Sequence, residues 1–528
     1  MSPTPSGLFH DVPIEDLFFS TTDAKGVIDE ANEVFARNSR YERSELLGAP
    51  HNIIRHPDMP GAVFKATWDL LGAGHPVCAY VKNLARDGST YWAFATIVPI
   101  AGRFLSVRAT PCDRTARDLF ESLYATVREA EIAARDAGAS AREAADVGSE
   151  VLGKALAENG FGSYTELQLD LVPVEVTARE QVCPPLPQLP DGSKTARKIL
   201  AQVTAARSSL GAFAADIADS LTLTDTLSRD LRRLGAALAG LDRAVASAAQ
   251  TLTAATPAMA TGSTMVTYAS DPVADSADMT VGAVGAVGTV EADVAALVPI
   301  IQSRLGSLRD DVERAGDELA SVVRARKHLA LGSAIARMQA EAIGRYVVAV
   351  EAGAEDPRVS ERALSSLSTA LLAILDADLL TDREATTAYV DRVARLATEV
   401  AGARETTVAW RSLLESTMPR AATNDGSVTD DGSVTDDGSV TDDGSVTDDG
   451  SEAGNGSVTG DRPEDGSDDH SDAAHESRLA FDVALSAAND QMGRVADAVG
   501  AVAATNAALD RDELAAVLGK IVELAAKI

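Results

Sequence analysis

Two stripes of apolar residues in the second half of the chain restrict its fold more than any other feature. Leu227, Leu231, Leu234, Leu238, Leu241, Val245, Ala248 and Leu252 are separated by alternating steps of four and three residues. Val294, Leu297, Ile301, Leu305, Leu308, Val312, Ala315, Leu319 and Val322 follow the same rule with one additional step of four. That spacing places each set on one face of an α-helix and is incompatible with a strand, whose side chains repeat every second residue. Two long helices must therefore bury these faces, either as the core of a bundle or as a signalling coiled coil or dimerisation hairpin. Residues 254–289 between them are rich in Gly, Ala, Thr and Ser and read as a loop or frayed region. Further helices are expected at 323–352 and 359–417, giving a long-helix region over 196–420.

Residues 15 to 112 differ in kind. "DLFFSTT" and "GVIDEAN" are short strand candidates around the turn "TDAKG", and "NEVFARNSRYERSELLG" has apolar residues at helical spacing. "MPGAVFKATWDLLGAGH" reads as a helix with Pro60 near its start and Gly72 and Gly74 at its end. Three strands follow, "PVCAYVKNLA", "STYWAFATIVPI" and "RFLSVRATP", joined through "RDGS" and "AGR", which suit hairpin turns. From Thr115 the chain turns helical, and 113–181 is expected as a helical connector ending before the Pro-rich break "CPPLPQLPDGS".

Charge narrows the function classes. The formal net charge is −32, which opposes nucleic-acid binding, and no basic stripe offsets it. Residues 421–478 hold 17 Asp and Glu against 2 Arg and so supply −15 of the total. Within them "DGSVTD" occurs four times in tandem from Asp425 to Asp448, with no large apolar residue to offset the entropy of ordering. This stretch is expected to be a disordered acidic linker; its spacing fits neither an EF-hand nor a calcium-binding nonapeptide. C-terminal helices are expected over 479–528, with Asp510 as an N-cap and Glu513 three residues on.

The three cysteines, Cys78, Cys112 and Cys183, show no CxxC spacing, which fits a reducing cytoplasm. The N-terminus lacks a basic segment followed by an apolar core, so no signal peptide is expected. No stretch approaches the roughly 18 uncharged apolar residues of a membrane span. The expected localisation is cytoplasmic.

The densest chemistry lies in "GAPHNIIRHPDMPGAVF", residues 48–64, with two histidines, an arginine, an aspartate and two prolines in an otherwise Ala-rich chain. The strand, strand, helices, three-strand order around it is the plan of a PAS domain, expected over 10–112 as an antiparallel five-stranded sheet with flanking helices. "TTDAKGVIDEANEVFARNSRYERSELLGAPHNIIRHPDMP" resembles that family in its TD-x-x-G-x-I-x-x-x-N turn, S-x-Y helix end and E-L-x-G step. "PHNIIRHPDMP", Trp68, "VKN" (81–83) and "DGSTYW" resemble, more narrowly, the PAS domain of bacterial aerotaxis receptors.

The resemblance implies non-covalent FAD and a sensor of redox state or oxygen. It implies a flavin-holding role for Arg55, His56 and Asp58, with Asn52 in the same run and Trp68, Tyr91 and Trp92 walling the cavity. An arginine fork meets phosphate or a ring carbonyl, and Pro57 and Pro60 stiffen the loop. Family members often carry an aromatic where this chain has Val77. Two other readings stay open. In one, Arg55, His56 and Asp58 form a salt-bridged cap beside an empty pocket. In the other, the ligand is a small metabolite or haem, with His51 or His56 as axial ligand. A light-oxygen-voltage photosensor is not expected, since no cysteine sits in the motif's helix.

For the output, "LALGSAIARMQAEAIGRYVVAV" (329–350) resembles the chemoreceptor hairpin tip at Leu329, Ala330, Leu331, Ile335, Gly344, Arg345, Val347 and Val348, allowing one gap. Gly332 and Ala336 replace the tip's Asn and Glu, and Ala-rich helices also produce such matches by chance. No kinase ATP box, GGDEF-like loop, phosphodiesterase motif or P-loop lysine is present, so a non-enzymatic signal transducer is expected. Its expected partners are a second copy, through the PAS domain and long helices, and a chemotaxis or two-component kinase complex. The competing reading is a ligand-free PAS and helical scaffold.

Overall fold

The computed structural model describes residues 3–259, 290–356 and 361–371, a scatter of positions from 373 to 402, residues 468–508, and three isolated positions beyond. The tandem repeat, the Asp510 cap and residues 260–289 lie outside the described residues. The chain divides into two units. One comprises residues 1–232, 313–397 and 494–528, the other 233–312 and 398–493.

The first unit begins with the five-stranded antiparallel sheet read from the sequence. β1 (Leu17–Thr22), β2 (Ile28–Ala31), β3 (Val77–Leu84), β4 (Thr90–Ile100) and β5 (Arg103–Ala109) lie in the order β2-β1-β5-β4-β3. The tight β4–β5 hairpin is formed by Ala101 and Gly102, both at positive φ, as a two-residue turn with the sheet's own twist requires. Between β2 and β3 run α1 (Glu33–Ser39), α2 (Arg43–Leu46), a single 3₁₀ turn (His51–Ile54) and α3 (Gly61–Gly72). Asn32 caps α1 by accepting from Phe35 N, and its Oδ1 also takes Phe19 N of β1, which ties the helix to the sheet.

Strand alternation gives the sheet two faces. One carries Ala79, Val81, Ala95, Ile97, Ser106 and Arg108 toward the α1–α3 layer. The opposite face carries Phe19, Tyr80, Phe94 and Val107 into the main apolar core. Val77, where the family often has a ring, is fully buried in that core and does not line the cavity described below.

Residues 113–181 form three helices that pack on the domain. α4 (Arg114–Asp136) starts directly after β5, and Asp113 caps it through Thr115 N and Ala116 N. α5 (Ala141–Glu158) follows a Ser140–Glu143 capping box, and α6 (Tyr164–Val182) runs beside β3. Phe120 of α4 meets Tyr80 at 4.8 Å and Tyr164 of α6 at 6.2 Å, ring centre to ring centre. Gln168 of α6 accepts from Cys78 N at 2.6 Å, which satisfies the free edge of β3.

Two long helices follow, α7 (Lys194–Met259) and α8 (Val290–Glu351). Every heptad position from Leu227 to Ala248, and from Ile301 to Val322, is buried. The side chains of Leu252, Val294 and Leu297 lie outside the described set. α7 continues to Met259, so the expected break at 254 falls at least six residues later. α8 is one helix where separate segments were expected. Within the first unit, residues 331–344 of α8 are buried all round. Tyr346 meets Phe19 of β1 at 5.2 Å, and Gln339 Nε2 donates to Thr96 Oγ1 of β4 at 3.3 Å. Helical residues 361–371 add Leu364, Leu367 and Leu371 to the same core.

In the second unit the end of α7 and the start of α8 lie close enough for a Cβ on Gly235 to touch Val312. The first eleven residues of a further helix, α9 (Asp468–Ala508), fall inside the stretch expected as linker. Its Ser477 hydroxyl bonds Thr251 of α7 at 3.0 Å.

Candidate functional site

A cavity of about 310 Å³ lies between the inner face of the sheet and the α1–α3 layer. That volume is at the lower end of small-molecule sites, which span about 300–1,000 Å³. The strands contribute Ala79, Val81, Asn83, Ala95, Ile97, Ser106 and Arg108. The opposite wall comes from His51, Ile54 and Arg55 around the 3₁₀ turn and from Val63, Phe64, Thr67, Trp68 and Leu71 of α3. The mouth is formed by exposed Lys25, half-exposed Trp68 and Gly26. Gly26 needs its positive φ of 78°, and a Cβ there would stand 3.1 Å from the Trp68 ring.

Most of the lining is apolar, with Thr22, Lys25, Asn52, Arg55 and Thr67 interspersed, and one end holds a buried charge. There Arg108 Nη2 donates to Ser20 Oγ at 2.8 Å and contacts His51 Nε2. The guanidinium stacks 4.8 Å from the centre of Phe35, and no carboxylate among the described residues pairs with it. Burial pulls it down to about 10, so it remains charged at neutral pH. Burial, then Arg108, pushes His51 well below its ordinary value, which leaves the ring neutral with Nε2 as the acceptor. The nitrogen that haem would take is therefore engaged.

Three buried polar atoms in this lining have no partner: Arg108 Nη1, Asn83 Nδ2 and Ser106 Oγ. Each costs about 1–3 kcal/mol when left unpaired, and a charged group costs more. All three belong to one cavity lining, Arg108 and Ser106 on β5 and Asn83 on β3, and acceptor atoms supplied from within the cavity would relieve that cost.

Of the residues expected at the site, Asn52, Arg55 and Trp68 line the cavity. Arg55 stacks 4.2 Å over Phe64, and its Nη2 donates to Met59 O at 2.8 Å. The other four do not line it. His56 is buried beside the cavity wall, where its Nδ1 accepts from Asp58 N at 3.1 Å. Asp58 turns outward to Lys82 Nζ at 2.7 Å. Arg55 bridges Asn83, so the next side chain, His56, points to the opposite side, and Asp58 lies in the turn that follows. Trp92 is on the outer face of β4 and, with Asp58, lines a separate groove under α4. Tyr91 faces the inner side but is sealed into a small core with Phe18 and Phe35.

Asn83, Ser106 and Arg108 were not among the expected site residues. Asn83 had a signal in the "VKN" motif, and Arg108 had one as a lone charge inside an apolar strand.

Comparison with known proteins agrees with this architecture. Residues 28–110 match the PAS fold family. The N-terminal domain is a PAS domain. It is 38% identical over 120 residues to the aerotaxis receptor of Escherichia coli K12, covering 21% of this chain and 24% of the receptor. Over 96 residues it is 28% identical to the nitrogen fixation regulatory protein of Klebsiella pneumoniae, covering 18% of this chain and 19% of that protein. The chain thus spans a quarter or less of the length of these relatives. Both are named for sensing or regulation, and neither for a catalytic activity.

Among solved structures, a light-oxygen-voltage domain studied with a flavin analogue is 21% identical at a TM-score of 0.19, covering 20% of this chain and 86% of that one. A Rhodobacter sphaeroides LOV protein is 15% identical at 0.18, covering 27% and 89%. Among the described residues, no helix is long and apolar enough to cross a membrane.

Proposed function

We propose that the PAS domain holds a flavin, FAD, in the 310 Å³ cavity and reports redox state or oxygen to the helices packed on it. The observation that carries the reading is the presence, in one cavity lining, of Arg108 Nη1, Asn83 Nδ2 and Ser106 Oγ, three buried polar atoms without partners. The pyrimidine edge of an isoalloxazine offers carbonyl and ring-nitrogen acceptors that a buried guanidinium can meet, and its remaining rings are apolar, like most of the lining. The volume suits the tricycle and leaves the phosphate-bearing arm to pass the mouth beside Lys25 and Trp68. Bound flavin supplies a reversible change of charge and protonation on one ring edge; the chain supplies a fixed positive charge and donors there.

The output follows from packing. Most of the segment 329–350 is buried against β1, β4 and α6, which favours a packing role over that of an exposed kinase-binding tip. The same packing fills the outer face of the PAS sheet. A second copy would pair through another surface. A cytoplasmic chemotaxis or two-component kinase complex remains the partner class we propose, by way of the aerotaxis receptor likeness.

The test is a visible spectrum of the purified full chain, with and without added FAD. Oxidised flavin bands that remain after gel filtration support the reading. A protein that stays colourless with excess FAD ends it and favours the ligand-free scaffold.

A further inference from the structure

The loop around His56 and Asp58 is the most distinctive stretch of the sequence, yet neither side chain enters the cavity lining. The loop instead ties the cavity wall to α4. Its two ends, Arg55 and Met59, line the cavity and are joined by the Arg55 Nη2–Met59 O bond. Its middle is held from outside, where Arg128 Nε of α4 donates to Pro57 O at 3.0 Å.

One turn further along α4, Glu131 accepts from Gly61 N and Ala62 N, both at 2.8 Å. These are the first two N–H groups of α3, whose N-cap, Pro60, has no side-chain acceptor. The cap comes instead from 70 residues away. A carboxylate at a helix N-terminus is favoured by the helix dipole, and bonds to a charged acceptor are stronger than neutral ones. The side chain is buried, with Arg128 at 3.2 Å and Arg55 near enough to interact with its charge. Space for it exists because residue 148 of α5 is glycine; a Cβ there would stand 2.5 Å from Glu131 Oε1.

We propose that Glu131 is the output contact of the cavity, passing displacement of α3 and the 55–60 loop into α4. α3 supplies five residues of the cavity wall, so an occupant that presses on them bears on a helix whose first two N–H groups are held by Glu131. His56 and Asp58 are positioning residues in this arrangement. They hold the loop in shape and, through Lys82, against β3. The proposal takes the flavin reading for its natural occupant but needs only that the cavity be filled.

The test is hydrogen–deuterium exchange on the full chain, with and without FAD. Filling the cavity should slow exchange at Gly61, Ala62 and residues 121–135 of α4 by about two- to tenfold, the span that one hydrogen bond's net contribution converts to. Glu131→Gln should keep the flavin spectrum and the ligand-dependent protection of β4 and β5 but lose the difference in α4. A purely structural Glu131 would raise exchange equally in both states and leave the difference intact, which would overturn the proposal. So would a wild-type chain whose strands respond to FAD while α4 does not. If the chain binds no flavin, Ala95→Met, or Ser106→Met should the first not fold, fills the cavity from within. An α4 that responds to the filling retains the proposal and discards the flavin reading; an α4 that ignores it discards the proposal.

Discussion

Arg179 of α6 and Glu341 of α8 form a buried bidentate pair, Nε to Oε2 at 3.1 Å and Nη2 to Oε1 at 2.9 Å. Arg345 adds a bond of 2.6 Å from its Nε to Glu341 Oε1, one helical turn on. Burial alone would raise the Glu341 carboxyl, but Arg179 and Arg345 outweigh it and hold it at about 2.

Removing one member of this pair strands a buried charge. Glu341→Gln is expected to cost about 3–5 kcal/mol in urea unfolding at pH 7. Because the folded-state value is depressed, the pair's contribution is complete above the ordinary value of 4.5 and is lost as pH falls toward 2. The wild type should lose stability across that window, and the variant should show a shallower slope there.

Glu355 behaves in the opposite sense. It follows α8 and accepts from Glu33 N at the start of α1 at 3.0 Å. Burial, opposed by that bond, pushes its carboxyl up to about 7. The folded state therefore binds its proton more tightly than the unfolded state, and stability falls as pH rises from 4.5 toward 7. Glu355→Gln keeps an acceptor for Glu33 N and should flatten that slope in thermal melts at pH 5, 6 and 7 (about two units spanning the window).

Arg108→Met separates stability from binding. An unpaired buried guanidinium is a burden on the empty protein, and apolar replacement of buried charges is often neutral or stabilising by about 1–4 kcal/mol. The ligand-free variant should melt no lower than wild type. Added FAD should raise the Tm of wild type but not of the variant, read by the same melts. Equal FAD stabilisation of both would remove Arg108 from the site.

Glu175 of α6 fixes the joint between sheet and helices. Its carboxylate accepts from Cys112 N, Asp113 N and the Tyr80 hydroxyl, each at 2.7 Å. Glu175→Ala leaves two backbone N–H groups and a phenol without an acceptor and is expected to cost about 3 kcal/mol or more. Tyr80→Phe removes one bond and should cost about 1 kcal/mol. Denaturant midpoints of the two variants give the comparison; equal losses would mean that the backbone bonds carry none of the effect.

The sequence by itself determined the elements. Strand alternation, the Asp-Gly and Ala-Gly turns and the heptad stripes are local signals, since each depends on residues a few positions apart. The PAS plan follows from their order, and Asn52, Arg55 and Trp68 were legible as cavity residues because one short segment and the next helix carry them. Which side of a strand faces the cavity was not legible. The one-residue parity that sends His56 and Trp92 outward is set by the bridge between Arg55 and Asn83 and by the register of β4 on β3 and β5. Arg108 became a site residue only when the sheet set β5 between β1 and β4 and the 3₁₀ turn brought His51 to its guanidinium. The helices beyond the domain show the same limit. Periodicity announced α7 and α8, but only packing of distant parts decided that residues 331–344 would lie against the back of the sheet. Glu131 capping α3 and Arg179 meeting Glu341 depend on the same packing, because a buried charge finds its partner in space, at separations of 70 and 162 residues that no local pattern encodes.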